Sequence, residues 1–138
     1  MQVQPVRLES VFLANVLLYL NTVEAITLFP FVSQNCFEAT LTVKTNPWAF
    51  ATSPRAILRR FPNINTLVID RLDRPNPDNT LPDTVTNIVL KVFNSEKLHQ
   101  YFPYFDRIVD IRECLGTSKT QDFTPFVNLE RLSLDWVT

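Results

Sequence analysis

The stretch Phe61-Pro62-Asn63-Ile64-Asn65-Thr66-Leu67-Val68-Ile69 returns in outline as Phe126-Val127-Asn128-Leu129-Glu130-Arg131-Leu132-Ser133-Leu134. In both, a leucine follows the phenylalanine by six positions. Phe102-Pro103-Tyr104-Phe105-Asp106-Arg107-Ile108 keeps that offset, and Leu81-Pro82-Asp83-Thr84-Val85-Thr86-Asn87-Ile88 keeps it with one extra residue. Taking Leu67, Ile88, Ile108 and Leu132 as equivalent gives steps of 21, 20 and 24 residues. A period of this size constrains the chain more than any other feature. Each unit is too small to bury its own apolar edge, so neighbouring units must stack to cover one another.

Four short strands are expected, at Thr66–Asp70, Asn87–Val92, Arg107–Ile111 and Glu130–Leu134, stacked in parallel. Between them lie a proline-rich loop Asp73–Asn79, a helix Ser95–Tyr101 and a polar stretch Gly116–Asp122. Alternation along a strand points Leu67 and Ile69, Ile88 and Leu90, and Leu132 and Leu134 inward. The outward set is then Thr66, Val68 and Asp70; Asn87, Val89 and Lys91; Arg107 and Val109; and Arg131, Ser133 and Asp135. The steps fall within the roughly 20 to 29 residues of leucine-rich repeats, which residues 48–138 resemble. That resemblance implies an α/β chain with a short, irregular solenoid whose outward strand face grips a protein partner. An ordinary open α/β sheet is the alternative, disfavoured because the returns are short for crossover helices.

The last strand is followed closely by Trp136-Val137-Thr138. Either Trp136 folds back over that edge, or the edge pairs with another protein or with a second copy to give a homo-oligomer, or the chain is a shortened relative of longer repeat proteins.

Residues 1–47 carry a different pattern. Leu13, Val16, Leu17 and Leu20 follow the i, i+3, i+4, i+7 spacing of one helix face, with Ser10 as N-cap. Asn21 and Glu24 form a capping-box-like start for a second helix through Ala25, Ile26, Leu28 and Phe29, which Pro30 must kink or end. A third helix contains Phe31, Val32, Cys36, Phe37, Ala39 and Leu41 and stops before Asn46-Pro47. Beyond them, Ser53-Pro54 opens a capped helix through Arg55, Ala56, Ile57 and Leu58, whose cluster Arg55, Arg59 and Arg60 could meet an anion but is expected to be a solvated face.

The order Leu8, Val11, Leu13, Val16-Leu17, Tyr19-Leu20, a polar break, then Val32-Ser33 and Cys36 resembles the F-box. Tyr19-Leu20 at the end of the first helix and Val32-Ser33 carry most of the likeness, while Glu9 and Pro30 depart from the family pattern. The resemblance implies docking to a Skp-type adaptor, and through it to a cullin ubiquitin ligase, by Leu8, Val11, Leu13, Val16, Leu17, Leu20, Phe31 and Val32. Periodicity alone equally allows these side chains to be the core of a helical cap over the repeats.

Composition narrows the function class. The chain has 138 residues, 46% hydrophobic, and a net charge of −1, so no basic surface calls for nucleic acid. One glycine, Gly116, cannot build a phosphate-cradling loop. One histidine, His99, lies in the polar run Ser95–Gln100 with no nucleophile pattern nearby, and is expected to be a solvated surface residue. Cys36 and Cys114 form no spaced pair and read as buried thiols of a reducing compartment. Asp70, Asp73, Asp78 and Asp83, interleaved with Arg71 and Arg74, read as a salt-bridged surface loop without ligand spacing. The apolar run Val11–Leu20 is too short to span a bilayer and lacks a cleavage pattern. The expectation is a non-enzymatic, cytoplasmic or nuclear binding protein without metal or cofactor and without membrane contact.

Overall fold

The computed structural model describes residues 8–21, 24–47, 53–70, 80–94, 103–115 and 122–136, with the backbone alone at 114–115 and 134–136. The chain is mixed α/β. The helices α1 (Ser10–Leu17), α2 (Phe29–Val32), α3 (Gln34–Thr42) and α4 (Pro54–Arg60) precede four strands, β1 (Thr66–Ile69), β2 (Asn87–Asn94), β3 (Ile108–Leu115) and β4 (Arg131–Trp136). The strands form one sheet in the order β1-β2-β3-β4, every neighbour parallel.

The helical part departs from expectation where its caps decide the boundaries. Ser10 is not the N-cap of α1 but its first residue; Glu9 takes the cap position, and no side chain closes it. Asn21 does act as a cap, its Oδ1 accepting from Glu24 N at 2.9 Å, but the capped element is a π-helical turn, Glu24–Leu28. Pro30 lies in the first turn of α2, where its missing N–H costs nothing. Ser33 then splits the expected third helix. Its backbone is extended, and its hydroxyl accepts from Cys36 N at 3.2 Å, which satisfies a donor at the start of α3. Ser53 performs the same task for α4, accepting from Ala56 N at 3.3 Å.

All strand positions fall within a few residues of those expected, and Leu67, Ile88 and Ile108 stand side by side. Leu132 does not continue that row: it pairs with Ile111, in line with Ile69 and Leu90. Leu132 lies three positions past the residue opposite Ile108, and the one extra residue of β3, Val109, at the register shift beside Val89 brings it back into the row of Leu90. Counting back from Leu132, Leu129 falls beside Ile108 and packs, partly buried, against the core. Alternation places Leu132 inside, yet it is 39% exposed, because β4 has no neighbour on its outer side among the described residues. The side chain of Leu134, the returns 73–79, 95–101 and 116–121, and with them His99 and Gly116, lie outside the described residues.

The core crosses the boundary between the two segments. Leu17, Phe29, Cys36 and Val43 belong to the same buried cluster as Ile57, Phe61, Leu67, Ile88, Phe93 and Ile108. Phe126 meets Phe93 edge-on at 5.5 Å between ring centroids, and Phe105 at 5.0 Å. The repeated asparagines act alike. Asn63 Nδ2 donates to the Leu41 carbonyl at 2.8 Å, and Asn128 Nδ2 to the Asp106 carbonyl at 2.6 Å, each reaching 22 residues back.

The segment before β1 closes the other side of the sheet. Asn65 N and Thr66 N both donate to the Lys44 carbonyl, as Thr86 N and Asn87 N both donate to the Asn65 carbonyl one unit later. Thr45 makes a parallel bridge with Thr66. Asn46, 2% exposed, continues this edge with its side chain: Oδ1 accepts from Val68 N at 2.8 Å and Nδ2 donates to the Val68 carbonyl at 2.8 Å. Replacing Asn46 by alanine strands both groups of Val68 in the interior. A loss of about 2–4 kcal/mol in urea-unfolding free energy is therefore expected, and a loss below about 1 kcal/mol would show the edge to be wet.

Candidate functional surfaces

Two surfaces hold the residues singled out from the sequence, and the structure divides each of them. Of the helical set, Leu17 is fully buried, and Leu13 and Leu20 are partly buried against the core. Leu8, Val11, Val16, Phe31 and Val32 point to solvent, with Phe31 73% exposed. The set is therefore part core and part surface: one face of α1 holds the fold together, and the other offers apolar side chains outward.

The outward side is larger than the spacing revealed. Phe12, Leu18, Tyr19, Leu28 and Phe37 are exposed as well. Among the described residues, ten of the twelve exposed large hydrophobic side chains lie between Leu8 and Phe37. The signal was present in the sequence. A helix reading SVFLANVL is apolar around most of its circumference, and only one side of it can face a core. Large apolar side chains gathered in this way along one short stretch of chain are surface that a partner could cover. Leu8, Leu13, Val32 and Ser33–Cys36 line an open groove of about 570 Å³, bridged at one point by Asn35 Nδ2 donating to the Leu8 carbonyl at 2.9 Å.

The sheet's outward face is also redrawn. Thr66, Val68, Asn87, Lys91 and Val109 are half-buried, and Arg131 and Ser133 are exposed, whereas Asp70 and Val89 are buried and present little surface. Arg107 is engaged within the fold. Its Nη1 donates to the carbonyls of Pro82 (3.2 Å) and Val85 (3.3 Å), its Nη2 pairs with Asp83 at 3.2 Å, and its guanidinium lies over the Tyr104 ring. The side chain of Asp135 lies outside the described residues, as do those of Cys114 and Trp136.

Around Lys91, Arg131 and Ser133 the structure gathers residues the simple alternation missed: Asp110, Arg112, Glu113 and Glu130, lining a shallow concavity of about 730 Å³. Asp110, buried like Val89, lies on this side of the sheet because the extra residue at Val109 puts it in the row of Val89 and Arg131. A carboxylate at a position that strict alternation would bury was itself the clue, since an unpaired buried charge is costly. Arg112 Nε lies 3.5 Å from Asp110 Oδ2. The concavity thus carries both signs of charge in short reach, a surface suited to polar protein contacts.

Among the described residues no three His, Cys, Asp or Glu side chains gather as a metal ion would need, and no helix is long and apolar enough to cross a membrane. Of the carboxylates expected in one loop, Asp70 is buried and Asp83 binds Arg107, while Asp73 and Asp78 lie outside the described residues. Cys36 is a buried free thiol. In the turn before β4, the Thr124 hydroxyl and the Thr124 N–H both donate to Asp122 and hold its carboxyl below the ordinary aspartate range. Comparison of the chain with protein-family models, with curated proteins and with solved structures finds no match in any of the three.

The division of α1 into a core side and a surface side has a direct test. Leu17→Ala should lower unfolding free energy by about 2–4 kcal/mol, the range for emptying a packed leucine site. Val16→Ala, one residue away, should change it by no more than about 0.5 kcal/mol. Similar losses at the two positions would mean that the outward face is covered.

Proposed function

We propose that this chain is a non-enzymatic recruitment protein of the cytoplasm or nucleus. Its F-box-like helices, residues 1–47, hold a Skp-type adaptor of a cullin ubiquitin ligase. Its leucine-rich-repeat-like segment, residues 48–138, is a short irregular solenoid that holds a second protein. The observation that carries this reading is the concentration of exposed apolar side chains on α1, α2 and the described residues between them, beside a buried core that the helices share with the sheet. A surface of that kind gains free energy when a partner removes it from water. The parallel strands in sequence order, with β1 and β2 each entered through two N–H groups that share one carbonyl of the preceding segment, support the repeat reading of the remainder.

Two separate contacts are implied. Leu8, Val11, Val16, Phe31 and Val32 meet the adaptor, while Leu13, Leu17 and Leu20 act from beneath by holding α1 in place. Lys91, Arg131 and Ser133, with Arg112 and Glu130, meet the recruited protein. The charged face sets orientation and specificity, and its central residues carry most of the affinity. Co-purification of the full chain with a Skp-type adaptor is the decisive experiment. Val11→Glu together with Val32→Glu should reduce capture at least about tenfold while the chain stays folded. Lys91→Glu with Arg131→Glu should leave adaptor capture intact and remove the second partner. Failure of the wild-type chain to bind any Skp-type adaptor would sink the ligase role.

A second reading rests on β4. Its outer edge has no strand beside it among the described residues, and Leu132 and Val127 are exposed there. A repeat scaffold without a ligase could self-associate through that edge. Sedimentation over a wide concentration range should then show a dimer that Leu132→Lys abolishes, and a monomer at every concentration rules this reading out.

A further inference from the structure

Phe31 is exposed, yet its ring is already occupied from one side: the Arg60 guanidinium stands over it, 5.3 Å from the ring centroid. Arg60 ends α4 together with Arg59, and Arg55 lies on the same helix one turn earlier; Arg55 and Arg59 are exposed. Among the described residues none of the three arginines makes an ion pair, and Arg60 Nε is buried without an acceptor. Cations at a helix C-terminus offset its dipole, which accounts for Arg59 and Arg60 being tolerated there. It does not account for Arg55, or for an arginine carried up against the edge of an apolar face and left without an anion.

Charge around that face is polarised. From residue 8 to residue 43 the sequence has no lysine or arginine, and Glu9, Glu24 and Glu38 are all exposed. Beyond Phe31 lies α4, with three arginines and no acid. An anionic lipid surface would favour an apolar face ringed by basic residues, and here the helices that bear the face carry acids instead. A protein segment with apolar residues along one side and carboxylates at one end complements both the face and its polarity.

We propose that the exposed face of α1 and α2 takes an amphipathic, acidic peptide segment of another protein, oriented so that its carboxylates lie over Arg55, Arg59 and Arg60. This rests on the reading of that face as a docking surface, and adds the chemistry and direction of the occupant. Phe31 holds the Arg60 guanidinium in one plane before binding, so less side-chain freedom is lost when a carboxylate meets its fork. Charge-assisted, bidentate pairing of this kind adds direction to an apolar contact that has none of its own.

The test uses the full chain and three labelled helical peptides that share one leucine-rich apolar side and carry glutamate, glutamine or lysine at the polar positions. By fluorescence anisotropy, the glutamate peptide should bind about tenfold or more tightly than the glutamine peptide, and lose that advantage in high salt. Arg55→Gln with Arg59→Gln, both at exposed positions that leave the core untouched, should erase most of the preference. Phe31→Ala should weaken the glutamate peptide more than the glutamine peptide. Equal affinity for the two peptides, a preference that survives the arginine substitutions, no binding of any peptide, or equally strong binding to phosphatidylserine vesicles would each overturn the proposal. A Skp-type adaptor captured equally well by the arginine variant would overturn this polarity while leaving the docking surface itself in place. A clear glutamate preference without adaptor capture would do the reverse.

Discussion

The pairing of Asn46 with Val68 is the joint on which the rest of the structure depends. A parallel strand needs a neighbour on each side or a solvated edge, and β1 is the first strand of its sheet. The chain supplies the missing neighbour from the tail of its helical segment. The Lys44 carbonyl, the Thr45 bridge and the Asn46 side chain together present the hydrogen-bonding edge of a strand without forming one. Since the same stretch continues α3, the helices are tied in register to the sheet, and Leu17, Phe29 and Val43 join the core of the strands. Without that tie the two segments would each expose a large apolar surface, and neither is of a size that easily stabilises itself.

This arrangement also explains why the outward helical surface can exist. The inner side of α1 is held by Leu17, and the start of α3 is held by the Ser33 cap and by buried Cys36 and Ala39. With those anchors in place, the outer side need not contribute to folding and is free to remain apolar. A chain that left ten large hydrophobic residues in water for no purpose would carry an aggregation liability. Their confinement to one short stretch is therefore more informative than their number.

Along the sheet, the same logic runs from one unit to the next. The Lys44 and Asn65 carbonyls each receive two N–H groups of the following segment, and the asparagines Asn63 and Asn128 reach back to the segment before them. The regularity breaks at β3, where Val109 is extra. That one residue carries Asp110 to the side of Val89 and Arg131, sets Leu132 in line with Leu90, and brings charges of both signs together with Lys91 and Arg131. A defect in the ladder thus shapes the polar surface, as bulges often do where a side chain must be re-aimed.

Much of this was legible in the residues themselves. The period marked by Phe61, Leu81, Phe102 and Phe126 located all four strands, because burial of an apolar edge at regular spacing leaves a direct trace in sequence. Ser53-Pro54 announced α4 for an equally local reason, a cap hydroxyl followed by a residue suited to the first turn. Other features depended on contacts far apart in the chain. Ser33 is both a plausible helix residue and a cap, and packing on each side selected the cap. Spacing placed Leu13, Val16 and Leu17 on one face without stating which of them meets the core. Nothing local to Asn46 foretold that its amide would stand in for a strand, nor to Phe31 that Arg60 would lie across it. Period and capping act within one turn or one repeat and are therefore written in the sequence. Register, edge closure and the choice of which apolar side faces water are decided by which partners arrive, and those are set by the tertiary structure.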